Sequence, residues 1–121
     1  MLKIVVLLAA GIGFVSNAAA DDVEAGKRAF LKCKSCHSLE AGKNQTGPSL
    51  AKIFGRKAGA DGGYKYSQDM IDSGVVWDEK SMDAYITDPK KIIPKGKMSF
   101  AGIKDATQRQ NLIAYLKEST K

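Results

Sequence analysis

The chain has one histidine, two cysteines and three prolines in 121 residues. A single histidine rules out a three-histidine zinc site, a two-histidine metal triad and a bis-histidine haem built from the chain's own side chains. Two cysteines are too few for a disulfide-rich scaffold or a four-cysteine cluster. Acidic residues are the minority charge, 13 against 19 Lys and Arg, for a formal balance of +6. That excess points to anionic partners without saying which. Aromatic residues are only 7% of the chain, which argues against a nucleic-acid surface with interleaved aromatics. The rest is ordinary for a globular protein, at 44% hydrophobic and 26% charged. The length suits one domain. There is no period-2 alternation long enough for a sheet, no internal repeat and no low-complexity tract.

The first twenty residues read as a secretory signal rather than as part of the folded domain. Lys3 forms the positive n-region, and Ile4 to Val15 is an uncharged apolar h-region. Ala18 and Ala20 occupy the small-residue positions before a cleavage point, followed at once by Asp21 and Asp22. An uncleaved anchor is the competing reading, but the apolar stretch is short for a membrane span and lacks flanking aromatics. Cleavage after Ala20 removes Lys3 and leaves residues 21–121 as the domain: 101 residues, 18 Lys and Arg against 13 Asp and Glu, or +5. The short signal without a twin-arginine motif has the bacterial form and directs the chain to an oxidising periplasm.

The domain reads as all-α, with short helices between loops. Asp21 or Asp22 can cap a first helix carrying Ala25, Ala29, Phe30 and Cys33 on one face. Residues 38–66 are glycine-rich and read as loop, with one short turn at Ser49–Gly55. A short helix is predicted over Ser67–Ser73, closed by Gly74. Asp78 can cap a third helix that stops before Pro89. Residues 88–104, with Pro89, Pro94, Gly96 and Gly102, read as a second irregular loop. The last helix has Asp105 as N-cap, Gln108 at the capping-box position, and Leu112, Ile113, Tyr115 and Leu116 as its apolar face. Lys117 and Lys121 suit its C-terminal end. So much loop, with so few apolar side chains, leaves a domain of this size marginal on a protein-only core. Something besides protein has to fill the centre.

Cys33-Lys34-Ser35-Cys36-His37 supplies a candidate. In a C-x-x-C-H segment two thiols three residues apart can add to the two vinyl groups of one haem. The adjoining histidine then offers an imidazole nitrogen to the iron. Zinc needs four ligands, and Cys33, Cys36 and His37 give three with no second cluster. A thioredoxin-like dithiol needs a βαβ setting that is not visible. A plain Cys33–Cys36 disulfide leaves the missing core unexplained. With no second histidine, a sixth ligand must be Met, Lys or Tyr, or the position stays open. Met70 and Met82 fall on predicted helices, where methionine is usually packing. Met98 lies in the Pro/Gly loop Pro94-Lys95-Gly96-Lys97-Met98-Ser99-Phe100, which can bring a thioether to the face opposite His37.

The domain resembles the class I c-type cytochromes, close to mitochondrial cytochrome c and the bacterial cytochromes c2, over nearly all of residues 21–118. Gly26, Phe30, the Cys33–His37 segment and Thr46-Gly47-Pro48-Ser49-Leu50 carry the resemblance first. It continues through Phe54-Gly55-Arg56-Lys57, Tyr66-Ser67, Trp77, Tyr85, Asp88-Pro89-Lys90-Lys91, Ile93-Pro94 and Lys97-Met98. Phe100-Ala101-Gly102-Ile103 and Leu112-Ile113-Ala114-Tyr115-Leu116 close it. The resemblance implies crossed terminal helices, with short helices and loops around one covalent haem c. It implies His37 and Met98 as axial ligands and the Pro48 carbonyl as acceptor for the outer ring N–H of His37. It implies Arg56, Tyr66 and Trp77 at a buried propionate, Tyr85 beside the Met98 sulfur, and Gly26 and Phe30 against Leu112 and Tyr115. Two departures stand out. Gly96 replaces a usual threonine, removing a hydroxyl near a propionate, and Met70 replaces an asparagine of the mitochondrial members.

The resemblance implies a monomeric one-electron carrier rather than an enzyme, because a haem with both axial positions filled has nowhere to bind substrate. Its expected donor is a bc1-type complex, and its acceptor an oxidase, a reductase or a photosynthetic reaction centre. Arg28, Lys32, Lys90, Lys91, Lys97 and Lys104 match basic positions around an exposed haem edge that would steer it to acidic patches on those complexes. Nucleic acid is not an expected partner. The rival readings are a peroxidase-like enzyme with Met98 off the iron, and a haem-free dithiol protein.

Overall fold

The computed structural model describes Gly11 and residues 18–121. The expected signal segment lies, apart from Gly11 and Ala18–Ala20, outside the described residues. Five helices follow in order: α1 (Ala18–Phe30), α2 (Gln68–Asp72), α3 (Glu79–Thr87), α4 (Pro89–Ile92) and α5 (Ala106–Ser119). Among the described residues there is no strand, only an isolated antiparallel bridge between Lys57 and Val76. The architecture is all-α, as expected.

Two helices and one cap differ from the sequence reading. Helix α1 starts at Ala18, so Asp21 and Asp22 lie within it rather than capping it. Three successive alanines, the strongest helix formers, give the helix no reason to begin later. Pro89–Ile92 is helical where a loop was expected. Proline at the first helical position lacks only an N–H that would have had no partner there, and its fixed φ suits the turn. In α5, Asp105 accepts from the Gln108 backbone N–H at 2.9 Å, but this end makes only that half of the capping box. The reciprocal box is at α3, where Asp78 accepts from the Ser81 N–H at 2.8 Å and the Ser81 hydroxyl accepts from the Asp78 N–H at 2.9 Å. Helix α2 falls within the predicted Ser67–Ser73 span, with Ser67 as its N-cap rather than its first residue, and closes as predicted at Gly74, φ +69°.

The terminal helices α1 and α5 cross at Gly26. A Cβ there would collide with the Asn111 carbonyl and stand 2.7 Å from Tyr115 Cβ. Just beyond, Phe30 packs on Tyr115 with ring centroids 5.5 Å apart, and Leu112 is buried beneath. Helix α3 leans on α5 and is joined to it by Arg109, whose Nε donates to Asp83 Oδ1 at 2.7 Å. The guanidinium also donates to the Ile103 and Lys104 carbonyls, so one side chain ties α3, α5 and the incoming loop together. The Ile103 N–H donates to the Ile86 carbonyl at 2.8 Å. Gly102, at φ +107°, allows that approach, because a side chain there would strike the Thr87 carbonyl. The buried side chains form one cluster running from Phe30 through Trp77, Tyr85 and Ile93 to Leu116.

Gly26→Val forces a branched side chain into the helix crossing. It should cost about 1–3 kcal/mol of unfolding free energy in the haem-loaded protein, read by denaturant titration; an unchanged midpoint would contradict so close a crossing. The Asp78 carboxyl is held below the usual carboxylate range by the Ser81 N–H and hydroxyl. A depressed folded pKa stabilises above the unfolded value and loses that effect as pH falls through the folded one. Asp78→Ala should therefore lower Tm at neutral pH, with the gap to the parent closing below about pH 4.

Candidate functional site

Helix α1 does not stop cleanly at Phe30. Its backbone runs on into tight turns, with the Cys33 N–H on the Phe30 carbonyl at 2.8 Å and the His37 N–H on the Cys33 carbonyl at 2.9 Å. This coiling presents Cys33, Cys36 and His37 to one cavity of about 290 Å³. Both thiols are free. Burial, helped by Cys36, pushes the Cys33 thiol up, with Lys32 opposing. Among the described residues no group of three or more His, Cys, Asp and Glu is arranged to hold a metal ion.

The loop after His37 folds back to fix the ring. The Gly47 N–H donates to the Cys36 carbonyl and the Leu50 N–H to the Ser38 carbonyl, both at 2.8 Å. Ser49, 1% exposed, donates its N–H to Asn44 Oδ1 and its hydroxyl to the Glu40 carbonyl. Pro48, held between them, offers its carbonyl to His37 Nδ1 at 2.7 Å. An N–H must donate in that bond, so Nδ1 carries the proton and Nε2 keeps its lone pair. Burial pushes the His37 pKa down, and the Pro48 bond only partly offsets this, so the imidazole stays neutral. Gly47 lies flat against the ring: a Cβ there would be 2.5 Å from Cε1.

Met98 lies in the wall of the same cavity. The Tyr85 hydroxyl donates to its Sδ at 3.7 Å. Burial, with Tyr64 adding to it, pushes the Tyr85 phenol up to about 12, so it stays a donor throughout the physiological range. Met70 and Met82 also line the cavity, but among the described hydrogen bonds neither sulfur has a donor.

Arg56, Tyr66 and Trp77 converge on another part of the wall. The Lys57–Val76 bridge sets Arg56 beside Trp77, with the Trp77 N–H on the Arg56 carbonyl at 3.0 Å. Arg56 directs two guanidinium nitrogens to the Ser49 and Ala51 carbonyls. Burial raises the Tyr66 pKa against the opposing charge of Arg56, so the phenol stays protonated. Among the described residues, no fully buried side-chain N or O is left without a partner. The Trp77 indole N–H and His37 Nε2, which have none, therefore adjoin open space, and the cavity they line supplies it. Donors from Arg56, Tyr66 and Trp77 at one edge suit a carboxylate.

All nine expected site residues line this one cavity: Cys33, Cys36, His37, Pro48, Arg56, Tyr66, Trp77, Tyr85 and Met98. The six basic residues are all exposed. Lys32 and Lys97 border the cavity. The ammonium groups of Lys90, Lys97 and Lys104 donate to the Gly96, Lys65 and Thr87 carbonyls. Tyr64 was missed in the sequence; it lines the cavity, donates to the Thr46 carbonyl at 2.7 Å and meets Tyr66 edge-on at 4.9 Å between centroids. Its place two residues before Tyr66, in a segment with no period, gave no signal.

Two free thiols, a neutral imidazole with a free lone pair, a thioether and a carboxylate-binding edge around an apolar cavity fit a covalently attached haem. A cytochrome c family model matches residues 23–120. Cytochrome c2 iso-2 of Magnetospirillum molischianum is 52% identical over 88 residues, 73% of this chain and 91% of the relative. Cytochrome c-550 of Nitrobacter winogradskyi is 48% identical over 101 residues, 83% of this chain and 93% of the relative. The solved structure of cytochrome cH from Methylobacterium extorquens superposes with a TM-score of 0.76 at 43% identity, covering 80% of this chain and 98% of that one. The fold and site define a class I haem-c protein. The chain belongs to the cytochrome c family. It binds haem c covalently through Cys33 and Cys36, and like the family's members it carries electrons and is not an enzyme.

Proposed function

We propose that this chain is a soluble, monomeric periplasmic carrier that takes electrons from a bc1-type complex and passes them to an oxidase, a reductase or a photosynthetic reaction centre. His37, through its free Nε2, and Met98, through its sulfur, would hold the haem iron. The observation that carries this reading is that both potential ligand atoms meet one cavity with a hydrogen bond behind each. The Pro48 carbonyl stands behind the His37 ring at 2.7 Å and the Tyr85 hydroxyl beside Met98 Sδ at 3.7 Å. The bound haem supplies one-electron exchange at its iron.

The remaining work belongs to the chain. The Pro48 bond makes the imidazole more electron-rich and fixes its orientation. The Tyr85 hydroxyl withdraws density from the thioether, which favours the reduced state. Arg56, Tyr66 and Trp77 would hold a haem propionate by donating to it. Ile53, Met82, Ile86 and Leu112 line the cavity with buried apolar surface and exclude water, so few dipoles must reorient when charge changes. Arg28, Lys32, Lys90, Lys91, Lys97 and Lys104 make an exposed basic surface that attracts acidic partners. Removal of residues 1–20 leaves a domain whose described helices include none long and apolar enough to cross a membrane, in keeping with a diffusing carrier.

The ferric protein should show a far-red thioether-to-iron absorption band, which Met98→Ala abolishes; retention of the band in that variant would assign the sixth ligand elsewhere. The second-order rate with a membrane redox complex should fall steeply between low and physiological ionic strength. A rate indifferent to salt would rule out steering by the basic surface.

A further inference from the structure

The segment that delivers Met98 has little backbone support of its own. Among the described residues, no backbone N–H from Lys97 to Gly102 donates to another backbone carbonyl; the flanking bonds are Gly96 N–H to the Ile93 carbonyl and Ile103 N–H to the Ile86 carbonyl. Ties from outside must hold it, and three consecutive residues each receive one. The Lys95 N–H donates to Asp69 Oδ2 at 3.0 Å. The Gly96 carbonyl accepts from Lys90 Nζ at 2.8 Å. Lys97 Nζ donates to the Lys65 carbonyl at 2.9 Å. Gly96 has no side chain to add another, and beyond it the segment receives only the Tyr85 hydroxyl on Met98 Sδ at 3.7 Å and Lys104 Nζ on the Ala101 carbonyl at 3.4 Å among the described hydrogen bonds.

These ties are unequal. Lys90 and Lys97 are exposed ammonium groups on flexible four-carbon stems, strongly hydrated and easily exchanged for water. Asp69 is a short side chain, half-buried, in the first turn of α2. Its position is set by the Ser67 N-cap, which accepts from the Met70 N–H at 3.2 Å. A carboxylate accepting a backbone N–H is a charge-assisted bond, stronger than a neutral one. It also joins parts of the cavity wall that are distant in sequence. Ser67 and Met70 of the α2 segment line one part, and Lys97, Met98, Ser99 and Phe100 line another. Asp69 and Lys95 are the atoms that clasp the two parts together at their rim.

We infer that Asp69 is a positioning residue for Met98: by holding the Lys95 amide it keeps the thioether-bearing loop seated against the cavity. The inference rests on Met98 being an axial ligand, and its test separates the two. In the haem-loaded protein, Asp69→Ala should speed hydrogen exchange at the Lys95 amide by about tenfold or more. The far-red band should then disappear at lower denaturant than the helical signal, opening a gap that the parent lacks. Asp69→Asn keeps a side-chain oxygen that can accept, and should restore most of both properties. Parent-like exchange at Lys95 in Asp69→Ala would overturn the inference. So would band and helical signal falling together by equal amounts, which would make Asp69 only a helix residue. Failure of the ligand reading looks different: Met98→Ala would keep the band, and the effect of Asp69→Ala on Lys95 exchange would stand without it.

Discussion

The bond from His37 Nδ1 to the Pro48 carbonyl sets the terms for the rest of the molecule. It decides which ring nitrogen carries the proton, and so which one is free to bind a metal. It also requires the loop from Ser38 to Leu50 to return across the ring, which explains the buried Ser49, its bonds to Asn44 and Glu40, and the bare backbone at Gly47. A side chain at Gly47 would occupy the place of the imidazole. Gly47 is therefore a packing requirement around one ring, whereas Gly42, in the same stretch, meets nothing nearby and serves a turn at φ +75°.

The opposite side of the cavity follows another logic. His37 is held by backbone, at the end of a helix that continues into tight turns. Met98 is held by side chains: a phenol on its sulfur, and a carboxylate and two ammonium groups on the residues before it. The two sides thus differ in rigidity. Lys90 and Lys97 face a competition as well, because the ammonium groups that tie the loop also belong to the exposed basic surface. A partner carboxylate that captured either would draw it from a loop carbonyl, and the Asp69 clasp involves no such lysine side chain.

Local chemistry was legible where it was local. The Cys33–His37 segment, the Asp78 cap and the stop at Gly74 each depend on residues a few positions apart, and they were found as expected; Ser67, read as the first residue of its helix, caps it instead. Helix α4 was missed because Pro89 at its start and Pro94 just after it make the stretch read as a breaker, although proline is well placed in a first turn. The capping box was expected at Asp105 because Gln108 has the usual side chain for it. It formed at Asp78 because the shorter Ser81 hydroxyl reaches the N-cap N–H just as well. The donors at the Arg56–Trp77 edge were named only through a family resemblance, since nothing in their spacing joins them.

By itself, then, the sequence determined that one cofactor would be attached at one place, because two thiols and the only histidine lie within five consecutive residues. It also determined that any sixth protein ligand could not be another histidine. The tertiary structure alone decided which methionine receives the Tyr85 hydroxyl, since Met70, Met82 and Met98 all reach the cavity wall. It alone brought Asp69 to Lys95, and Arg56 and Tyr66 to Trp77. Those contacts join irregular segments far apart in sequence, where the chain has no period to read and only the closing of the fold around a central cavity sets who meets whom.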